Sequence, residues 1–468
     1  MCFGCNRRSP PDENKCRMMN AECRTENDFV LQSVDCVFSS FFILHSSFCI
    51  PSMADTLQIS HAAINRADDD RFHRFRLITW WDQEKLRNAK VLVVGAGALG
   101  NEIVKNLALL GIGNILIADL DRIENSNLSR SVLYRKQDNG KFKAEIAAAA
   151  AKEIYPDLNV HHFNGNVVYD LGMGVFNWAD IVIGGLDNRE ARLSINRNCW
   201  KCNKPWVDGA IQQIDGTARV FVPESHALGR PDAACYECTM SQTDWKLLQL
   251  RRSCNLLSKS EMETGKTPTT PTISSIIAGV QCQEAVKILH GMETISGKGW
   301  VFSGLTTDSY LTEFQKKDDC VSHDTLEKIV PMPWSIHITT VGEALIEARR
   351  LLGPTAELEL GRDVLEKMVC PACHAEESLF QSLGQVKSDK AGCPTCGAAR
   401  REVITFYKIR GGESFLDKTL ARIGVPPFDV LIARTVDRAI GLELSDDAGG
   451  VLGPLFQTAA DEAELEWS

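Results

Sequence analysis

The apolar positions of this chain fall into short runs separated by longer segments with helical spacing. Lys90–Val94 (KVLVV) is a run of the kind a doubly buried strand presents. Asn101–Leu110 follows with apolar residues at helical intervals, and Asn114–Asp119 (NILIAD) reads as a second strand. Lys143–Ile154 is an alanine-rich helix, Val160–Asn164 a strand, Asp180–Gly184 (DIVIG) another, and Ala191–Trp200 a helix. Strands at Pro205–Gly209 and Gly216–Val222 come next. Asp244–Thr270 is polar and irregular, a crossover loop, and Ile273–His290 is a strongly apolar helix closed by Gly291. Trp300–Phe314 reads as a closing pair of strands, and Phe415–Leu442 as a helix followed by a strand. Helices that alternate with apolar strands imply an α/β fold, a Rossmann-like, doubly wound and mostly parallel sheet.

The turn between the first strand and its helix is Gly95-Ala-Gly97-Ala-Leu-Gly100, with Asp119 about twenty residues on. Glycines let a backbone approach phosphate, the helix N-terminus favours its charge, and an acidic residue at that distance can accept ribose hydroxyls. The bland alternative is a tight strand–helix turn with no ligand. Taken alone, the fingerprint fits a NAD-dependent oxidoreductase equally well.

The residues that follow redirect the reading. Asp119-Leu-Asp121-Arg-Ile-Glu-Asn125-Ser-Asn127-Leu-Ser-Arg130 resembles the D-x-D-x-(I/V)-x-x-S-N-L-x-R motif of the ThiF/MoeB/ubiquitin-activating family. Gly140-Lys-Phe-Lys143-Ala fits that family's G-x-x-K-(A/V), and Asp187-Asn188 with Arg192 fits its D-N-x-x-x-R. Arg71-Phe-His-Arg74 with Gln83-Glu-Lys-Leu resembles its opening R-(Y/F)-x-R and Q-x-x-L. The resemblance spans roughly residues 70–325. It implies an ATP-dependent adenylyltransferase that activates the C-terminal glycine of a small ubiquitin-like or sulfur-carrier β-grasp protein. It further implies that Gly95, Gly97 and Gly100 line the nucleotide and that Asp119 holds the ribose. Asn127, Arg130 and Lys143 would contact phosphates, Asp187 would coordinate magnesium, and Arg74 would reach the γ-phosphate from the other subunit of a homodimer. Against Arg130 and Lys143 individually stands the ordinary fate of a charged side chain, a solvated surface. A non-catalytic zinc scaffold is a further alternative, opposed by the intact Arg130, Lys143 and Asp187.

Cysteine adds two metal expectations. Cys370-Pro-Ala-Cys373 and Cys393-Pro-Thr-Cys396 stand 19 residues apart, the spacing of a zinc ribbon, with His374 a bystander. The resemblance places a first zinc pair at Cys235-Tyr-Glu-Cys238 and a second at Cys320-Val-Ser-His323, which would make one Cys3His site; a loop histidine with an incomplete site is the alternative. Four protein ligands leave no open position, so both sites are expected to be structural. Cys199-Trp-Lys-Cys202 mimics a redox pair but falls at a helix end, where packing explains it. Cys254 follows Arg251-Arg252-Ser253 in the crossover loop, where thioester-forming relatives carry their cysteine and where arginines favour thiolate. Three routes stay open for it: thioester transfer toward a conjugating enzyme, sulfur delivery for thiamine, molybdopterin or tRNA thiolation, and a spare cysteine.

Composition bounds the rest. A net charge of -10 argues against a nucleic-acid partner, and no apolar run reaches membrane-spanning length, so a cytoplasmic protein is expected. Six cysteines crowd the first 49 residues, which have little amphipathic pattern and no signal-peptide architecture. Residues 1–52 are therefore expected to be disordered or absent from the native product, residues 53–330 to form the adenylating domain with its crossover loop at about 240–272, and residues 331–468 an extension carrying the ribbon at 370–396.

Overall fold

The computed structural model describes residues 70–252, 268–386 and 388–456. The expectation for residues 1–52 and the candidate Cys254 lie outside them.

The first strands form as the apolar runs require: β1 is Lys90–Val94, β2 Asn114–Ala118, β3 Asn159–Phe163, β4 Ile181–Gly184 and β5 Trp206–Gln212. With β6 (Asp215–Phe221), β7 (Lys298–Ser303) and β8 (Asp308–Glu313) they make an eight-stranded sheet ordered β3-β2-β1-β4-β5-β6-β7-β8. The pairs from β3 through β5 are parallel and those from β5 through β8 antiparallel. Chain order reverses at β1, flanked by β2 and β4, and this switch point opens a crevice outside the carboxyl ends of the strands.

Alternate residues of each strand go to opposite faces, and both faces are covered. Val91, Val93, Ile115, Ile117, Ile181 and Ile183 pack under α2 (Ala98–Leu110), α3 (Lys143–Ile154) and the long α7 (Pro271–Leu289). The alanines of α3 that face the sheet, Ala144, Ala147, Ala148 and Ala151, let it lie close. Leu92, Val94, Leu116 and Val182 pack under α4 (Gly174–Trp178) and α5 (Arg189–Lys201). A short α1 (Gln83–Asn88) is capped by Asp82, whose carboxylate accepts from the Glu84 and Lys85 N–H groups. Helix α6, Gln242–Arg252, corrects the sequence reading: the first part of the expected crossover loop is helical. Its polar composition conceals the period, because only Leu248 among its described side chains is buried in the core.

A second sheet, ordered β11-β10-β13-β14-β9 with β12 also on β10, begins at β9 (Ile329–Met332). Its spine is the 13-residue β10, Glu357–Val369. The others are β11 (Glu376–Ser382), β12 (Glu402–Ile409), β13 (Val430–Arg434) and β14 (Ala439–Leu444). Leu431 and Ala433 face a core closed by α8 (Val341–Leu352), whose start is a capping box between Thr340 and Glu343. Val430 and Ile432 face the other way, into the core under α4 and α5. The segment Phe415–Leu442 holds one 3-10 turn, Leu420–Ile423, and then the β13–β14 hairpin, so its expected helix is replaced by a turn that Gly424 stops at φ 81°. Among the described residues no helix is long and apolar enough to cross a membrane.

Candidate functional site

The crevice is built by three loops at the switch point. The glycine loop leaves β1 with Gly95 at φ 94°, and a Cβ there would lie 2.5 Å from the Gly185 carbonyl oxygen. Gly100 stands in the first turn of α2, where a Cβ would fall 1.9 Å from the Gly95 oxygen. These two glycines are needed for packing. Gly97 differs: a Cβ there would meet nothing within 4 Å. It caps α2 with no side-chain hydrogen bond, so the helix N-terminus is open on the side where a Cβ of Gly97 would stand. That is the arrangement an anion occupies.

Asp119 follows β2 and accepts from the Ala96 N–H at 2.6 Å and the Asp121 N–H at 2.7 Å. Burial raises its carboxyl above the usual range, opposed by the nearby Lys143 ammonium and these two amides. Lys143 starts α3; its side chain is mostly buried and pairs with Asp121 at 2.8 Å. Asn127 turns inward on its own loop, its Oδ1 accepting the Glu124 N–H at 2.9 Å, and Arg130 donates to the Ser126 carbonyl at 2.7 Å. The structure thus brings the glycine loop, Asp119 and Lys143 together, with Asn127 and Arg130 on the segment between the last two.

Two buried residues that tie this region together escaped the sequence reading. Asn101 donates to the Ala96 and Gly97 carbonyls at 2.8 and 3.0 Å and accepts the Leu133 N–H at 2.9 Å. Tyr134 donates its hydroxyl to the Ala96 carbonyl at 2.5 Å and lies 3.2 Å from the Lys143 carbonyl. Both couple the glycine loop to a segment some thirty residues away, a contact that no local spacing announces.

Asp187 follows β4 and is exposed, beside Asn188, which caps α5 by accepting the Ala191 N–H. Three neighbouring backbone groups are held. Gly185 N–H donates to Val94 at 2.8 Å, the Gln281 amide to Gly184 at 2.8 Å, and Arg192 to the Leu186 carbonyl at 2.5 Å. Arg192 is buried with its Nε on Asp208 at 2.9 Å; burial disfavours its charge, but the Asp208 carboxylate overcomes this and holds the guanidinium protonated.

Arg74 lies apart. It is exposed on a 3-10 turn, His73–Leu77. Phe72 packs edge-on to Tyr155 with ring centroids at 5.6 Å, and Arg71 donates to the Ile154 carbonyl at 2.7 Å. That is the C-terminal end of α3, and Lys143 is at its N-terminal end, on the order of 17 Å away at 1.5 Å per residue.

Both cysteine clusters assemble. Cys235 Sγ is 3.7 Å from Cys238 Sγ and 3.5 Å from Cys320 Sγ, and Cys238 Sγ is 3.5 Å from His323 Nε2. A metal with sulfur ligands at about 2.3 Å spaces tetrahedral sulfurs by about 3.8 Å. The His323 ring stacks on Trp200 at 5.6 Å, which fixes its plane. In the second cluster Cys370 and Cys396 stand 3.5 Å apart and Cys373 and Cys393 3.7 Å. The two loops are copies of one turn. His374 and Gly397 take φ 57° and 74°, and their N–H groups donate to Cys370 and Cys393 respectively. Backbone N–H groups of Cys396 and Thr395 pull the Cys393 thiol down to about 6, the state a metal ligand needs. Both clusters can hold a metal ion, and their thiolate-rich donors suit zinc. Cys199 and Cys202 are buried, with burial pushing Cys202 up to about 12, unlike a reactive pair.

A doubly wound sheet with a glycine loop at its switch point defines a Rossmann-like α/β protein. Residues 70–322 match the model of the ThiF family, more than half of the chain, and the chain belongs to that family. Over 150 residues it is 40% identical to human ubiquitin-like modifier-activating enzyme 7, covering 30% of this chain and 15% of that one. Over 173 residues it is 34% identical to the sulfur carrier protein adenylyltransferase of Thermus thermophilus, covering 36% of this chain and 63% of that one. The chain therefore spans less than two thirds of either relative. Among solved structures, E. coli MccB with ATP aligns over 56% of this chain and 75% of its own, at 22% identity and a TM-score of 0.45.

Proposed function

We propose that this protein uses MgATP to adenylate the C-terminal glycine of a small ubiquitin-like protein. The observation that carries the reading is the open space at Gly97, where the uncapped N-terminus of α2 meets Asp119 and the Lys143–Asp121 pair. The named relatives, ubiquitin-like modifier-activating enzymes and a sulfur carrier protein adenylyltransferase, support it.

In this reading Gly95, Gly97 and Gly100 shape the phosphate cradle and Asp119 receives the ribose. A carboxylate oxygen of the carrier attacks the α-phosphorus, the bond to the β-phosphate oxygen breaks, and pyrophosphate leaves. Arg130, Lys143 and Asn127 face the charge that develops on the phosphoryl oxygens. Asp187 holds the magnesium ion, which supplies further charge neutralisation when bound. Arg74 serves the crevice of a second copy, since its own lies at the far end of α3. Zinc occupies the Cys235–Cys238–Cys320–His323 and Cys370–Cys373–Cys393–Cys396 clusters as a structural ion, with no position open for chemistry. Downstream, transfer to Cys254 and a conjugating enzyme stands beside sulfur delivery to the adenylate.

The test is ATP–pyrophosphate exchange with a panel of β-grasp proteins ending in Gly-Gly. Exchange that depends on one of them and on magnesium is expected. NAD binding without carrier-dependent exchange would overturn the reading in favour of an oxidoreductase.

A further inference from the structure

Among the described residues, the hydrogen-bond partner of the Asp187 side chain is the Asn188 amide at 3.5 Å. Its place is set through the backbone, and the anchor at Leu186 is Arg192, which also donates to the Gly209 carbonyl at 3.0 Å. Arg192 is in turn oriented by Asp208, a wholly buried carboxylate with one oxygen on Arg192 at 2.9 Å and the other on the Arg219 Nε at 2.9 Å. Arg219 lies over the ring of Tyr236, its guanidinium carbon 5.2 Å from the centroid. Tyr236 stands between Cys235 and Cys238, its N–H bonded to Asn196 Oδ1 at 2.9 Å. An unbroken series of contacts therefore runs from the Cys235–Cys238 turn to the loop that carries Asp187.

A carboxylate with no solvent access is costly unless both oxygens are occupied, and here each holds a different guanidinium. Two cations against one buried anion leave a net positive charge beside the crevice, which draws an acidic side chain at position 187 toward it. The planar forks allow few orientations, so displacement of Arg219 is passed to Arg192 as a change of angle.

We propose that Asp208 and Arg219 are positioning residues through which the Cys235–Cys238 turn holds the Asp187 loop in the geometry that receives magnesium. This rests on the proposed role of Asp187 and adds to it the residues that act through it.

The experiment measures binding of a fluorescent ATP analogue to the full-length protein across a magnesium titration, with metal content and thermal unfolding recorded in parallel. Arg219→Met cuts the series at its middle and leaves the Asp208–Arg192 pair. The magnesium concentration for half-maximal binding should rise about tenfold, the usual cost of losing a partner behind a metal ligand. Binding without magnesium and zinc per chain should stay at the wild-type level. Arg219→Lys, which keeps a charge on Asp208, should recover most of the loss. In an Asp187→Ala background Arg219→Met should change nothing further. An unaltered magnesium dependence in folded Arg219→Met overturns the inference, as does a loss that persists in the Asp187→Ala background. A wild-type protein whose ATP binding ignores magnesium would instead overturn the assignment of Asp187. Should Arg219→Met fail to fold, Tyr236→Leu tests the same link from the other side with the same expected shift.

Discussion

At the scale of single residues, the three glycines of the loop look alike in the sequence and differ in what they do. Gly100 packs on the Gly95 carbonyl, so Gly100→Ala forces α2 off the loop and should lower both thermal stability and nucleotide binding. Gly97→Ala meets no atom and has φ −72°, which alanine tolerates, so folding stability should stay within about 1 kcal/mol. Its methyl group would occupy the space above the helix N-terminus, and nucleotide affinity should drop about tenfold or more, the worth of one or two charge-assisted hydrogen bonds. Calorimetric unfolding together with titration calorimetry checks both; equal affinities for Gly97→Ala and wild type would place the phosphates elsewhere. Asp187→Ala should leave the fold intact and cut pyrophosphate exchange on the order of a thousandfold, because magnesium held there would neutralise the phosphates of ATP and the further charge that builds on the leaving pyrophosphate in the transition state. Exchange kinetics beside a circular dichroism spectrum would measure it, and near-normal exchange would remove Asp187 from the metal site.

At the scale of elements, what was legible in the sequence is what local chemistry specifies. KVLVV, the glycine turn and NILIAD lie consecutively, so one βαβ unit is readable from one stretch. The two ribbon turns repeat C-P-x-C, and their geometry repeats with them down to the positive φ at His374 and Gly397. Elements whose burial depends on distant partners were not legible. Helix α6 buries Leu248 and half-buries Trp245 against a core built by residues far from it in the chain, and the expected helix after Phe415 yields to a turn and a hairpin because Gly424-Val-Pro-Pro stops it. Helix α8 was not among the predicted elements, although Thr340 and Glu343 form a capping box at its start. The site divides the same way: the motif residues lie where their elements put them, whereas Asn101, Tyr134 and Asp208 matter through contacts across the fold. The two clusters differ in context too. Cys235 and Cys238 pack within the core beneath α5, whereas the ribbon turns join the ends of β10, β11 and β12. Elemental analysis should therefore find two zinc ions per chain. Cys370→Ser should lose one with exchange still measurable, and Cys238→Ser should lose the other and unfold the activating domain at lower temperature. One zinc in the intact protein would remove one of the two assignments.

At the scale of the whole molecule, the opposite ends of α3 carry residues to which the proposed reaction gives roles. Lys143 opens on the crevice, and the turn bearing Arg74 packs at the other end, on Tyr155. A homodimer that places each turn over the other crevice resolves this separation. Arg74→Ala and Asp187→Ala are each expected to be nearly inactive alone. Mixed under conditions of subunit exchange, they should regain up to about a quarter of wild-type activity, because random pairing makes half the dimers hybrid and one site of each hybrid is intact. Exchange rates before and after mixing measure the recovery. No recovery despite demonstrated exchange would return Arg74 to a role within its own chain.

The second sheet is fastened to the first through the segment that leads into α4. Asp429 accepts the Met173 N–H at 2.7 Å and pairs with Arg362 at 2.9 Å, while the Phe428 carbonyl receives the Gly174 N–H at 3.0 Å. Gly172 and Gly174 are glycines because a Cβ at either would fall within 2.6 Å of Phe428. The Met173 and Gly174 N–H groups therefore find their partners on residues more than 250 positions later in the chain. A fragment trimmed at residue 322, where the family match ends, would keep the motifs of the glycine loop and the Asp119–Arg130, Lys143 and Asp187 segments, yet lose His323 and the surface that closes its own core. For this chain the conserved-looking unit of sequence and the unit that folds have different ends.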